Sequence, residues 1–160
     1  MKDLSSQKGF SIIEIIIAAV IISTVSLVII LSIQLYADIS RKNQNNIQTG
    51  LLFEETAEVL QFLRDKSWTD NIETLETGTP YYLNWDGVEY TATTSQNFVN
   101  NSYERFFILE SIERNSSDQI SSSGTSDENT LLANISVASY GKDGSETLTT
   151  QTLIHNAYDN

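Results

Sequence analysis

Nineteen consecutive residues, Ile15 to Ile33, are apolar or carry a small hydroxyl, and none of them breaks a helix. At 1.5 Å per residue they extend about 28 Å, close to the hydrocarbon thickness of a bilayer. In lipid every backbone N–H and C=O must be satisfied within the segment, so the run is expected to be helical. Ser23, Thr24, Ser26 and Ser32 are expected to return their hydroxyls to carbonyls one turn back. Directly before the run stands Glu14. An acid at the centre of a membrane helix costs about 2.5–3.5 kcal/mol on insertion scales. A carboxylate kept at that cost predicts a partner for it.

A cleaved secretory signal fits poorly, because the apolar run is too long and no small-x-small pattern closes it. No proline or glycine occurs between Phe10 and Thr49, so one helix is expected from about Phe10 to about Lys66. Its far half changes character. Leu52, Thr56, Val59, Leu60 and Leu63 fall on one helical face, with Leu51, Phe53, Ala57 and Phe62 expected to widen it. Glu54, Glu55, Glu58 and Asp65 lie mostly off that stripe. This half is expected to pack on a sheet, with Gly50 a candidate bend.

Beyond Trp68 the period shortens to two. Pro80 to Trp85, then Asp86-Gly87, then Val88 to Thr93 read as a hairpin. Tyr103 to Arg114 reads as a strand. Asn115 to Thr130, rich in Ser, Asp, Asn and Gly, reads as a loop. Leu131 to Tyr140 alternates, placing Leu131, Ala133, Ile135, Val137 and Ser139 on one face. Gly141 to Gly144 is expected to turn into a last strand, Thr147 to His155. The fold class is therefore α+β: a long N-terminal helix, with a transmembrane half and an amphipathic half, packed on a small antiparallel β-sheet.

Composition narrows the function. The formal net charge is −12, which disfavours nonspecific nucleic-acid binding because that binding neutralises phosphates with cations. There is no cysteine, so no disulfide braces the C-terminal domain. The one histidine, His155, stands near the C-terminus and reads as an edge residue. No phosphate loop, nucleophile elbow or zinc spacing is present, and no enzymatic activity is expected. Asp118, Asp127 and Glu128 form the one acid-rich stretch whose hard oxygens suit calcium; no other cofactor is expected. Asn100-Asn101-Ser102, Asn115-Ser116-Ser117 and Asn134-Ile135-Ser136 fit the N-x-S glycosylation pattern.

The stretch Lys8-Gly9-Phe10-Ser11-Ile12-Ile13-Glu14, followed by the apolar run, resembles the type IV pilin superfamily, including the pseudopilins of type II secretion and competence. The resemblance implies a leader, residues 1–9, removed after Gly9 by a prepilin peptidase on the cytoplasmic face. Removing Lys2, Asp3 and Lys8 would change the net charge from −12 to −13. Phe10 would become the N-methylated N-terminus, and Glu14 would pair with the N-terminal amine of a neighbouring subunit. Implied partners are the peptidase/methyltransferase, other pilin subunits through their N-terminal helices, a platform membrane protein, an assembly ATPase, and lipid before assembly. Residues 10–36 would span the membrane, 37–66 form the exported part of the helix, and 67–160 the β-rich, pilin-like roll.

Lys2 and Lys8 before the span place the N-terminus inside, although Arg41 and Lys42 beyond it weaken the charge argument taken alone. The implied location is the cytoplasmic (inner) membrane, then a periplasmic or extracellular filament. Leu31 and Ser23 stand where many major pilins carry proline or glycine, which favours a minor component. Arg64-Asp65-Lys66-Ser67-Trp68 is similar to a stretch in type IV pilus assembly protein V and pseudopilin I. The expected function is a structural subunit, a minor pilin. A secretion or DNA-uptake pseudopilin is the alternative within the class, and a signal-anchored binding or adhesion domain is the alternative outside it.

Overall fold

The computed structural model describes residues 11–141 and 144–157. Helix α1 runs Ile12–Lys66, as the absence of breakers predicts. The chain divides into two compact units, one ending at Gln44 and the other beginning at Asn45.

In the first unit the described residues are helical from Ile12 onward, and no side chain from Ser11 to Ile33 is buried. Ser23 Oγ donates to the Ala19 carbonyl at 2.7 Å and Ser32 Oγ to that of Val28 at 2.8 Å. Thr24 Oγ1 is shared between the carbonyls of Val20 and Ile21. These polar groups are thus satisfied within the helix, as a lipid environment requires.

In the second unit α1 buries Thr49, Leu52, Thr56, Val59, Leu60 and Leu63, the predicted stripe extended by one residue. Phe53 and Ala57 pack partly against the same core. Leu51 and Phe62, expected to widen the stripe, face outward instead. The helix passes through Gly50 without a break. It ends at Lys66, where Asn71 Nδ2 caps the Leu63 carbonyl at 3.0 Å. A short helix, α2 (Trp68–Asn71), follows, with Ser67 Oγ accepting from the Asp70 N–H as its N-cap. Trp68 is buried in the core at this corner.

The strands are β1 (Pro80–Trp85), β2 (Tyr90–Thr93), β3 (Phe98–Val99), β4 (Tyr103–Arg114), β5 (Ile120–Ser121), β6 (Thr125–Gly141) and β7 (Gly144–His155). All pair antiparallel in one seven-stranded sheet, ordered β2-β1-β4-β6-β7, with β3 and β5 added to β4. Its inner face presents Tyr81, Leu83, Phe107, Leu109, Ala133, Ile135 and Ile154 to Val59, Leu60 and Leu63 of the helix. Burying each such aliphatic side chain contributes about 1.5–3 kcal/mol, and this packing fixes which face of α1 turns inward.

Two strand expectations are corrected. Asn115 to Thr130 is not a loop throughout. It contains β5 and the first part of β6, because Thr125, Ser126 and Asp127 pair with Arg114, Glu113 and Ile112 of β4. The register shifts between Ser111 and Ile112, where β6 carries extra residues. The first hairpin closes through four residues, Asp86 to Glu89, so β2 begins at Tyr90 and Val88 lies exposed in the turn. Asp86 Oδ1 accepts from the N–H groups of Val88 and Glu89 at 2.8 and 2.9 Å, and Gly87 takes φ +102°. Ordinary side chains avoid that backbone conformation, so a glycine suits the turn.

Candidate functional site

The sequence directs attention first to the start of α1. Glu14 lies in the first turn, exposed, with its N–H donating to the Ser11 carbonyl at 3.0 Å. Lys8, Gly9 and Phe10 lie outside the described residues. From Ile12 to Ile33 the helix offers apolar side chains on every side. A helix apolar all round requires lipid or other helices around it.

The second unit carries two polar clusters that a reading by motif misses, one on each face of the sheet. On the inner face, Arg105 of β4 is 6% exposed and sits among the apolar residues under α1. Its Nη1 comes within 2.5 Å of Glu55 Oε2, and its guanidinium lies 5.7 Å from the centre of the Tyr90 ring. Tyr90 Oη donates to the other Glu55 oxygen at 2.5 Å. Burial pushes the Glu55 pKa up, but Arg105 and the Tyr90 hydroxyl more than reverse this, leaving it below the ordinary value. Among the described residues Arg105 Nε and Nη1 are buried without a hydrogen-bond acceptor of good geometry, Nη1 meeting Glu55 as an ion pair.

On the outer face, Glu104 is 5% exposed and accepts from three neutral donors. These are Tyr140 Oη at 2.5 Å, Gln96 Nε2 at 2.8 Å and Tyr82 Oη at 3.0 Å. Burial raises its pKa, yet the three bonds together hold it below the usual carboxylate range. The same bonds raise both tyrosines, with burial the larger cause at Tyr82 and the Glu104 bond at Tyr140. The cluster ties β1, β6 and the segment before β3 to β4. In both clusters the charged or hydroxyl groups bond one another and are aimed at strand-to-strand or strand-to-helix contact. They are structural clasps by geometry.

The candidate calcium residues are drawn to an arginine. Arg114 Nε donates to Asp127 Oδ2 at 2.6 Å and lies 3.7 Å from Asp118 Oδ1, while its Nη1 donates to the Asp118 carbonyl at 3.0 Å. The hydrogen bond from Arg114 holds the Asp127 pKa below its ordinary value. The guanidinium thus sits where a cation shared by Asp118 and Asp127 would sit. Glu128 is exposed, and among the described residues no group of three or more metal-ligating side chains converges. His155 is an exposed residue of the edge strand β7, its Nδ1 2.9 Å from Thr130 Oγ1. Of the glycosylation patterns, Asn134 lies in β6 with its amide oxygen bonded to Gln151, whereas Asn100 is exposed in the turn after β3.

The comparison with known families agrees with the part of the molecule that the sequence singles out. Residues 4–30 match the family model for the prokaryotic N-terminal methylation motif. That match, with the apolar helix, supports a membrane-anchored structural subunit of the pilin or pseudopilin type, processed by a prepilin peptidase and assembled with other pilins. No curated protein and no solved structure matches the chain.

Proposed function

We propose that this chain is a minor pilin, a structural subunit of a type IV pilus-like filament that is assembled through its N-terminal helix. The observation that carries the reading is the methylation motif over residues 4–30 lying on a helix whose apolar side chains from Ile12 to Ile33 are all uncovered. In this reading a prepilin peptidase on the cytoplasmic face cuts between Gly9 and Phe10, with Lys8 in the leader, and Phe10 is N-methylated. The helix holds the subunit in the inner membrane until the platform protein and ATPase extract it. Glu14 then offsets the amine charge of the neighbouring subunit and sets the register, since an uncompensated charge in that setting is costly. Residues 67–160 form the exported β-rich domain, with the N-terminus inside. Chemistry is left to the peptidase.

The same motif suits a pseudopilin of a secretion or DNA-uptake system, a reading that keeps the helix and its processing but ends in a periplasmic filament. Intact mass and N-terminal peptide mass spectrometry on protein from its own cell envelope tests the proposal. A chain beginning at Phe10 with one added methyl group is expected. A chain still beginning at Met1, in cells with active prepilin peptidase, overturns it in favour of a plain membrane anchor.

A further inference from the structure

The two edges of the sheet differ. At one, β2 is four residues long, Tyr90–Thr93. At the other, β7 is twelve, Gly144–His155, about 40 Å at 3.3 Å per residue. An open edge offers backbone N–H and C=O groups to another strand, and folds guard it by keeping it short or with lysine, proline or a bulge. β2 has the first guard. β7 has none of them. From Gly144 to His155 there is no lysine, arginine or proline, and its pairing with β6 runs without a register shift. The strand is also bare on both faces, every residue from Gly144 to Gln151 being exposed.

The ladder fixes which backbone groups face outward. The Asn156 N–H donates to the Asn129 carbonyl at 2.8 Å, and the Ser139 hydroxyl to the Glu146 carbonyl at 3.4 Å. Even-numbered residues of β7 therefore turn their N–H and C=O groups to β6. Antiparallel pairing alternates, so Ser145, Thr147, Thr149, Gln151, Leu153 and His155 turn theirs away. Among the described residues no strand lies on that side. Leu148 stands opposite Val137 and Leu153 opposite Leu132, so the two project from opposite faces, 40% and 49% exposed. The one acid on the strand is Glu146.

A second copy of this chain suits that edge poorly. Antiparallel pairing of β7 with β7 needs a two-fold axis through the sheet, which reverses the direction of α1 in the second copy. Two chains anchored through the N-terminal end of that helix cannot then share one membrane. The other edge of a second copy, β2, covers four of the twelve residues.

We propose that β7 is an acceptor edge, taking an extended segment of an unlike polypeptide as an added antiparallel strand bonded to the outward groups of Thr147, Thr149, Gln151 and Leu153. The segment that fits has apolar residues five apart, opposite Leu153 and Leu148. It carries a cation opposite Glu146 and no proline between. Backbone bonds supply the contact, and these side chains set the register. The inference does not rest on the proposed function; only the membrane anchor enters, and only against a second copy.

The probe is a labelled twelve-residue peptide of alternating threonine and valine, with two leucines five residues apart and a lysine two residues beyond the second. Fluorescence anisotropy with the full chain in micelles should show saturable binding. N-methylating the alternate peptide nitrogens that face β7 should weaken it roughly tenfold, and methylating the other set should change it less than about twofold. At saturation, amide exchange should slow several-fold at Thr147, Thr149 and Gln151, and stay unchanged at Leu148 and Thr150, which already bond β6. No binding, equal effects of the two methylated sets, or slowing at both sets of amides each overturns the proposal.

Thr147→Pro removes an outward N–H and no bond to β6, so it should keep the thermal melt and lose the peptide. Should that variant unfold, Thr147→Lys with Gln151→Lys guards the edge by charge and should lose the peptide instead. Binding that survives in a folded variant overturns the proposal. In the native envelope, photoreactive benzoylphenylalanine at position 149 should yield an adduct that maps to an extended segment of another chain and disappears with the guarded edge. An adduct of this chain with itself gives the edge to a second copy and overturns the proposal, as does the absence of any adduct.

Discussion

Arg105 on β4 and Glu55 on α1 meet at 2.5 Å beneath the helix, joining a guanidinium that is almost fully buried to a carboxylate that still touches water. The pair is asymmetric, and so are its consequences. Without Glu55 the guanidinium is left in an apolar setting with one face on Tyr90 and no counter-ion. Without Arg105 the carboxylate can hydrate.

Glu55→Ala should therefore destabilise the fold by about 3 kcal/mol, the low end for a broken buried pair because Glu55 is itself partly exposed. Arg105→Met should cost less, since its chain still fills the space. The double variant should recover part of the loss. Denaturant unfolding of the full chain in micelles, followed by the fluorescence of buried Trp68, measures this. A larger loss for Arg105→Met than for Glu55→Ala would show that packing, not charge, decides the site.

Acid should attack the clasps before it attacks the core. Glu55, Glu104 and Asp127 all have folded-state pKa values below their ordinary ones. A group depressed on folding contributes stability that is fully present above its unfolded pKa, near 4, and lost as pH falls through the folded value. Stability should thus be flat from neutral pH to about 5 and fall below about 4. Tyr140→Phe removes one of the donors to Glu104 and brings its folded pKa back toward the unfolded one, so the variant should be less stable at neutral pH and lose less stability in acid than the wild type. Tyr82 and Tyr140 are raised on folding, so their contribution is present below pH 10 and lost as pH rises through their folded values. Thermal melts from pH 2 to 11 read both limbs; an unchanged acid limb in Tyr140→Phe would show that Glu104 does not depend on that hydroxyl.

Gly124 is held by a close approach at the foot of the β4–β6 pair. A Cβ there would stand 2.1 Å from the Arg114 carbonyl oxygen, a backbone atom that cannot swing aside. Gly124→Ala should cost about 1–3 kcal/mol as the strands part. It should also loosen the neighbouring Arg114–Asp127 pair. Hydrogen exchange should rise at Thr125 and Arg114 while Phe107 and Ile135 stay protected; uniform protection would show that the strand ends absorb the methyl group.

The two ends of the reading differ in how openly the sequence displays them. The buried row Leu52, Thr56, Val59, Leu60 and Leu63 is legible because a 3.6-residue period admits one partner face, and β4 is legible because its apolar residues alternate. Leu51 and Phe62 were not, since hydrophobicity alone does not say which of two flanks a sheet will cover. Ile120, Ser121 and Thr125 to Asp127 lie in a stretch with the composition of a loop, yet pairing to β4 draws them into strands, a tertiary contact overriding local propensity. Arg105 could have been found: the two-residue alternation of Tyr103–Arg114 places it with Phe107 and Leu109, and a charge on that face demands a partner. Glu104 left no such signal, because its donors come from three separate segments.

The last prediction concerns Glu14. Among the described residues no ion pair reaches its side chain, and it stands in the first turn of a helix with no buried residue before Thr49. If its work is to offset a neighbour's amine, the acid matters only between subunits. Glu14→Ala should then leave membrane insertion intact, because it makes the segment more apolar. Incorporation into filaments should be lost, and Glu14→Gln should fail similarly, since an amide supplies hydrogen bonds but no charge. Sheared filament and membrane fractions probed for the full chain distinguish these outcomes. Normal incorporation of Glu14→Gln would show that a hydrogen bond suffices, and normal incorporation of Glu14→Ala would remove the acid from assembly altogether.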